Sequence, residues 1–203
     1  MRDTEAWEIR DAITENTAAV AYVANAQARP LLSEVVVSAH THNVPVIVDA
    51  TCQLPPQSNL ERFIAEGADV VCFSGGKAIR GPQSSDILCG LRDLISAAAL
   101  QHLDQDVFID LWNPPDSLID KSKLPGAPHH GLGRPCKVGK EEIVGIITAL
   151  SLFVSEGDEA RSDRWRGIAF HLVELLKSIP YLSVSVTLNH ARTVPTVNVE
   201  LDE

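Results

Sequence analysis

An aspartate and a lysine each stand at the end of an apolar segment of the sequence. Asp49 is the first polar residue of "VPVIVDA", and Lys77 follows "ADVVCFS" after two glycines. Both segments are typical of buried strands in a parallel sheet, and one helical segment separates them. Ligands bind beyond the carboxyl ends of such strands, so we expect Asp49 and Lys77 to lie at the same edge of the sheet.

A carboxylate and a primary amine separated by the width of an aromatic ring suit pyridoxal phosphate. In that chemistry the lysine forms a Schiff base, and the aspartate keeps the pyridine nitrogen protonated so that the ring withdraws electrons. Ser74, Gly75 and Gly76 precede the lysine, and a hydroxyl with two closely approaching backbone N–H groups is suited to a phosphate. The sequence therefore predicts Lys77 as a nucleophile and Asp49 as its partner.

Two other ligand motifs fit the chain less well. A P-loop at this lysine would need glycine at position 71 and serine or threonine at position 78, where the chain has Val71 and Ala78. The segment 131–136, "GLGRPC", begins like a dinucleotide-binding fingerprint but lacks the third glycine and a preceding strand. We interpret it as a loop.

The histidines and cysteines form no recognisable metal motif, and no metal is predicted. His40 and His42 stand near a predicted helix end, where solvated or capping positions are expected. His129 and His130 belong to a proline-rich loop and either line the site or lie on the surface. The four cysteines are widely spaced and are interpreted as buried free thiols: Cys52, Cys72, Cys89 and Cys136.

The elements that must position the pair alternate between strand and helix. Strands are predicted at 18–24, 44–50 and 68–74. One helix follows Pro30, and Ser58 or Asn59 is expected to cap a second helix that Gly67 ends. The strand at 44–50 has no polar alternation, so it is expected to be covered on both faces. This order predicts a doubly wound α/β domain.

Beyond the lysine, the sequence predicts a short strand, a helix and then a loop at 112–135 that contains five of the twelve prolines. Helical pattern runs from Lys140 to Leu176 with a break near Gly157, and two strands follow, "LSVSVTL" and "TVPTVNVEL". We divide the chain into a partial cofactor-binding large domain, residues 1–150, and a linking helix with the start of a small α+β domain, residues 151–203.

The charge balance limits the partners of the protein. There are 27 acidic and 17 basic residues, a formal net charge of -10, which argues against a broad nucleic-acid surface. The charged amino-terminal segment and the lack of a long apolar stretch predict no membrane contact and a cytoplasmic protein.

Three segments together resemble the SelA-like branch of fold-type-I pyridoxal-phosphate enzymes, over about residues 16–155. They are "PVIVDATCQLPP", "GADVVCFSGGKAIRGPQSS" and "GLGRPCKVGKEEIVG". The resemblance implies the aspartate aminotransferase-like fold, pyridoxal 5'-phosphate as cofactor and a homodimer or larger homo-oligomer. It also implies a chain about twice this long, with segments at both ends that are not present here.

The resemblance also implies roles for individual residues. Lys77 would form the Schiff base, Asp49 would hold the pyridinium, Ser74 would contact the phosphate and Gln53 would lie near the ring. Four basic residues would hold the anionic part of a small substrate with an amino group, the alternative for each being a solvated surface charge: Arg80, Arg134, Lys137 and Lys140. Asp86 stands where the family pattern has glycine and adds a negative charge near the site.

The wording "SGGK..RGPQ" is more similar to the ammonia-lyase side of the family than to its selenium transferases. The favoured expectation is elimination of ammonia from an amino sugar acid or amino acid. Two alternatives stay open: a truncated, non-catalytic remnant that keeps the core of the fold, and a selenium transferase acting on seryl-tRNA(Sec). Whether this chain alone is an enzyme is also open.

Overall fold

A four-stranded sheet carries the segments that were predicted to position the site. The computed structural model describes residues 4–188 and 194–201. The sheet has the spatial order β1 (Val20–Val23), β2 (Val46–Asp49), β3 (Val70–Ser74) and β4 (Asp86–Gly90). The first three strands are parallel, and β4 runs antiparallel to β3. The predicted α/β fold with a mostly parallel sheet is confirmed.

Helices connect the parallel strands, as the alternating pattern predicted. Helix α2 (Leu32–His40) lies between β1 and β2, and α3 (Asn59–Ala65) lies between β2 and β3. Each helix is followed by a residue with positive φ, Asn43 at 57° and Gly67 at 103°. Asparagine and glycine tolerate this backbone conformation best, so these two residues let the chain leave each helix and enter the next strand.

The side-chain cap predicted for α3 is not formed. Ser58 precedes the helix with a helical backbone and makes no capping hydrogen bond through its side chain. A capping residue normally has an extended backbone, which aims its oxygen at the free N–H groups of the first turn. Asn59 is buried, and its amide nitrogen donates instead to the carbonyl of Gln53 at 2.5 Å. Asn59 therefore fixes the loop that precedes α3.

Both connecting helices pack on the same face of the sheet. That face and the helices form the core, which includes Val35, Ala39, Val46, Val48, Phe63, Val71 and Phe73. On the opposite face, Val23, Ile47 and Leu88 are 66%, 40% and 43% exposed. The expectation that β2 is covered on both faces is therefore wrong for this chain, because consecutive strands are spatial neighbours and both crossovers return on one side.

A long connection follows the sheet, as predicted. Helix α4 (Arg92–His102) comes after β4, and residues 103–139 contain only two short 3₁₀ turns, Lys121–Lys123 and Arg134–Cys136. Asp104 organises this segment, since it accepts a hydrogen bond from the backbone N–H of His130 at 3.1 Å and pairs with Arg134 at 2.5 Å.

Two long helices lead to a separate two-stranded antiparallel sheet. They are α5 (Lys140–Glu156) and α6 (Asp158–Leu176), and the predicted break at Gly157 is confirmed by a φ of 72°. The sheet pairs β5 (Leu182–Thr187) with β6 (Thr196–Leu201). Thr193, at the start of the second predicted strand, lies outside the described residues. The proposed boundary at residue 150 falls inside α5, so the domain division stays a prediction.

One short helix, α1 (Ala6–Ala12), was not predicted. The backbone N–H of Glu5 donates to Glu8 Oε2 at 2.9 Å at its start, and Ile9 and Ile13 pack against the core. Of the helices in the described part of the chain, none is long and apolar enough to span a membrane.

Candidate cofactor site

Asp49 and Lys77 follow adjacent parallel strands. Asp49 is the last residue of β2 and lies in register beside Cys72 of β3. Lys77 lies three residues beyond Ser74, the end of β3. The structure thus places Asp49 at the carboxyl end of β2 and Lys77 just beyond that of β3, at the edge where ligands bind in open α/β sheets.

The Asp49 carboxylate is stabilised in its ionised form. The backbone N–H of Thr51 donates to Asp49 Oδ1 at 3.0 Å. This hydrogen bond and one from the Thr51 side chain hold the pKa of Asp49 below its usual value, and the positive charge of Lys77 lowers it further. Asp49 therefore presents a negative charge at the sheet edge, and that charge favours the protonated form of the Lys77 amine.

The Lys77 amine is beside a thiol. Its Nζ donates to Cys52 Sγ at 3.0 Å. This hydrogen bond raises the pKa of Lys77, and the negative charges of Asp49 and Asp86 raise it further. At neutral pH the exposed amine is therefore protonated, and it must lose a proton before it acts as a nucleophile.

Cys52 is a site residue that sequence reasoning missed. The prediction of buried thiols is wrong for Cys52 and Cys136, which are exposed, while Cys72 and Cys89 are half-buried. All four are free, and burial raises the pKa of the Cys72 and Cys89 thiols. The available signal for Cys52 was its position three residues after Asp49, in the turn that leaves the strand.

The glycines before the lysine, Gly75 and Gly76, make close contacts within their own loop. The N–H of Gly75 donates to the Ser85 carbonyl at 2.9 Å, so it is not free to bind a phosphate. A Cβ at Gly75 would lie 2.6 Å from that carbonyl oxygen and 2.7 Å from Ile146 of α5. A Cβ at Gly76 would lie 2.7 Å from the Cα of Gln83. Close packing within the loop therefore requires these glycines.

Ser74 and Asp86 end up side by side. They are paired residues of β3 and β4. Burial is the main cause that raises the pKa of Cys72, and the charge of Asp86 is the next. The Asp86 carboxylate, which was predicted to add a negative charge near the site, is thus close to Cys72 and Ser74 of β3.

Gln53 lies in the same loop as Cys52. Its backbone N–H donates to the Ala50 carbonyl at 2.9 Å, and its own carbonyl is held by Asn59. The structure therefore places Gln53 four residues after Asp49, in a fixed backbone position.

The four basic residues predicted for the substrate differ in their surroundings. The pKa of Glu156, at the end of α5, is held below its usual value by a hydrogen bond from Arg164 and, less strongly, by charges that include Arg80. Arg134 is engaged with Asp104. Lys137 precedes α5 and Lys140 is its first residue, and both are exposed. In the part of the chain that the structure describes, Arg134, Lys137 and Lys140 make no hydrogen bond or ion pair with Asp49 or Lys77.

Three histidines, His40, His42 and His129, lie close to oxygen atoms of other residues. His40 Nε2 lies 2.8 Å from Asp69 Oδ2, and His42 Nδ1 lies 3.1 Å from the Ser38 carbonyl. His129 Nδ1 lies 3.9 Å from Asp104 Oδ1. Within residues 4–188 and 194–201, no cluster of three or more side chains is arranged to hold a metal ion.

Comparison with known proteins gives several related sequences, although no family model matches the chain. A 5'-C-glycyluridine monooxygenase-decarboxylase of a Streptomyces species is 28% identical over 208 positions, which cover 100% of this chain and 44% of that protein. A D-glucosaminate-6-phosphate ammonia lyase of Salmonella typhimurium is 30% identical over 148 positions, covering 71% and 31%. An L-seryl-tRNA(Sec) selenium transferase of Desulfovibrio desulfuricans is 32% identical over 100 positions, covering 41% and 21%.

The chain is similar to members of the SelA-like family of pyridoxal-phosphate enzymes, as its sequence motifs predicted. It spans less than half the length of each of these three relatives.

Pyridoxal 5'-phosphate, the cofactor of the SelA-like family, fits one end of this site better than the other. At the ring end, an amine and an ionised carboxylate stand at one sheet edge, which is the donor set that the aldehyde and the pyridine nitrogen need. At the phosphate end, the Gly75 N–H is already used and the Asp86 carboxylate stands beside Ser74. A phosphate there would meet a like charge rather than a ring of free N–H groups.

Proposed function

We propose that this chain is the lysine-bearing part of a pyridoxal-phosphate-dependent lyase or transferase. The observation that supports it most is that Asp49 ends β2 and Lys77 follows the end of the adjacent parallel strand β3, where the charge of each favours the ionised form of the other. The activity would belong to a longer protein. The two relatives are each more than twice as long as the part of them that this chain matches.

Asp49 and Lys77 have separate roles in this proposal. The bound cofactor supplies an electron sink for a carbanion at the substrate carbon that bears the amino group. The Asp49 carboxylate keeps a proton on the pyridine nitrogen. The Lys77 amine attaches the cofactor and, when released, takes the proton from the substrate carbon and returns it. Because the Lys77 pKa is raised, its free amine is a strong base for taking the proton, and its ammonium gives the proton back less readily.

The substrate is proposed to carry a carboxylate or phosphate. Lys137 and Lys140 are exposed, and in the described part of the chain neither is paired with a carboxylate. Both amines are therefore free to bind an anionic group as point charges. Arg134 would first have to leave Asp104, so we assign it to holding the loop.

The favoured reaction is elimination of ammonia from an amino sugar acid or amino acid. It is supported by the likeness to the ammonia lyase, which covers 71% of this chain. Decarboxylation of an amino acid is the second candidate, because the match to the monooxygenase-decarboxylase extends over the whole chain. Both reactions break a bond at the carbon bearing the amino group.

The test is covalent capture of the cofactor. Pyridoxal phosphate is added to the protein, the absorbance of the bound form is followed, and borohydride then fixes the label for peptide mass analysis. We expect the label on Lys77 and its loss in Lys77→Ala, while Lys177→Ala, which changes a surface lysine paired with Glu174, keeps it. A protein that stays colourless, or a label spread equally over surface lysines, would overturn the proposal and favour the non-catalytic remnant.

A further inference from the structure

The contact between Cys52 and Lys77 is not needed for the proposed chemistry and has a chemistry of its own. The sulfur and the amine nitrogen are 3.0 Å apart, and both side chains are exposed. The backbone around Cys52 is fixed on both sides, because the Thr51 N–H donates to Asp49 and the Gln53 N–H donates to the Ala50 carbonyl. The sulfur is thus held within reach of one particular amine.

The other three cysteines lack this arrangement. Cys72 and Cys89 are half-buried, and burial favours their protonated, less reactive thiols. Cys136 is exposed, but within the described residues no contact joins its sulfur to a lysine amine. Cys136 is therefore a natural control for oxidation without a neighbouring amine.

We propose that Cys52 and Lys77 form a reversible sulfur–nitrogen bond when the protein meets a peroxide. In the first step the Cys52 thiol attacks hydrogen peroxide, which gives a sulfenic acid and one water, so sulfur loses two electrons and the peroxide gains them. In the second step the neutral Lys77 amine attacks the sulfenic sulfur. The S–N bond forms, the S–O bond breaks, and the hydroxyl leaves as water with a proton from nitrogen.

The bond is undone by thiols. A reducing thiol attacks Cys52 Sγ, the amine leaves with a proton, and a second thiol reduces the mixed disulfide. While the bond exists, the Lys77 amine cannot attach a cofactor. This last consequence rests on the proposed function, whereas the formation of the bond does not.

The test measures the bond directly and without cofactor. The variant Cys72→Ala/Cys89→Ala/Cys136→Ser keeps Cys52 as its only cysteine, so no internal disulfide can form. After peroxide we expect a mass loss of about 2 Da, one tryptic product that joins the peptides of Cys52 and Lys77, and recovery with dithiothreitol. If this variant does not fold, the same joined product is sought in the unmodified protein, where peptide mapping separates it from a disulfide.

Two further variants complete the test. Cys52→Ser should give no joined product, although Cys136 is still oxidised. Lys77→Arg should leave the sulfenic acid free, so that dimedone labels Cys52 several-fold more than in the unmodified protein. Equal dimedone labelling in both proteins, or oxygen added to Cys52 without a joined product, would overturn the inference.

A last measurement separates this inference from the proposed function. Cofactor capture at Lys77 is compared in reduced, oxidised and re-reduced protein. Capture that is lost on oxidation and regained with dithiothreitol supports both. Normal capture without a joined product counts against the S–N bond alone, and a joined product in a protein that never captures cofactor counts against the proposed function alone.

Discussion

The backbone N–H of Gln57 donates to both carboxylate oxygens of Asp158, at 3.1 Å and 2.8 Å. Gln57 lies in the loop between β2 and α3, which also contains Cys52, so the first turn of α6 holds the part of this loop that is far from Asp49. Asp158 also pairs with the buried guanidinium of Arg161 at 2.5 Å. One carboxylate therefore links the site loop to the long carboxyl-terminal helix.

Replacing Asp158 with alanine should destabilise the protein by about 1 to 3 kcal/mol, the usual cost of leaving buried polar groups without a partner. The Gln57 N–H and the Arg161 guanidinium both lose an acceptor, and Glu156 at 3.4 Å is left as the carboxylate near Arg161. Urea unfolding measures the change. Asp163→Ala on the same helix breaks only an exposed pair with Arg166 and should stay within about 0.5 kcal/mol of the unmodified protein. Equal losses in the two variants would contradict the assigned role of Asp158.

Replacing Asp104 with alanine should loosen the loop that follows α4. The His130 N–H and the Arg134 guanidinium lose their shared partner, so amides near residue 130 should exchange hydrogen faster. Asp106→Ala, at an exposed position two residues away, is the matched control and should leave their exchange unchanged.

The same carboxylate makes the loop sensitive to acid. Its hydrogen bond from the His130 backbone and the charge of Arg134 hold the pKa of Asp104 below the usual 3.8. A lowered folded-state pKa means that the stabilisation is complete above pH 3.8 and is lost as the pH falls through the lower, folded value. Exchange in the unmodified protein should therefore approach that of Asp104→Ala only in that acidic range. A difference that persists there unchanged would argue against this role.

Much of the sheet was predictable because its signals are local. The apolar runs around Val46 and Val70 contain several β-branched residues and end at polar or small residues, and this pattern depends only on neighbours in the chain. The exposed face of β2 was not predictable in the same way. It depends on the spatial order of the strands and on the side of the sheet where both crossover helices lie. Neither can be predicted from the residues of one segment.

In the candidate site too, some features follow from the order of the strands and others depend on how the loops fold. Asp49 and Lys77 could be placed at one edge from strand order, because topology alone brings strand ends together. The contact of Lys77 with Cys52 depends on the path of a turn, and the pairing of Arg134 with Asp104 joins residues that are thirty positions apart. The close approach of Ser85 to Gly75 likewise requires the folded loop, so the packing role of this glycine could not be predicted from the sequence, and its phosphate role stays a prediction.

Removing the thiol beside Lys77 should make its amine more reactive at neutral pH. The hydrogen bond to Cys52 is the main cause of the raised Lys77 pKa, so Cys52→Ala should lower that pKa and increase the neutral fraction. Labelling of Lys77 by an amine-reactive acetylating reagent, followed by peptide mass analysis across a pH series, should then have its midpoint at a lower pH. Lys177 in the same samples is the internal reference and should not change. An unchanged midpoint for Lys77 would mean that the sulfur contact has no influence on the amine.

The packing role of the glycine loop makes a sharp contrast between two glycines. In Gly75→Ala the new methyl group would meet the Ser85 carbonyl oxygen at 2.6 Å and Ile146 at 2.7 Å, so either the loop or α5 must shift. We expect a loss of about 1 to 3 kcal/mol in urea unfolding, as for other overpacked positions. Gly126→Ala places its methyl group in open space and should remain within about 0.5 kcal/mol of the unmodified protein.

Because the Gly75 N–H is bound to Ser85, Gly75→Ala should also weaken cofactor capture through displacement of Lys77 rather than through loss of a phosphate donor. If Gly75→Ala kept full stability and lost only its affinity for inorganic phosphate, measured by competition with cofactor capture, the phosphate role would be restored.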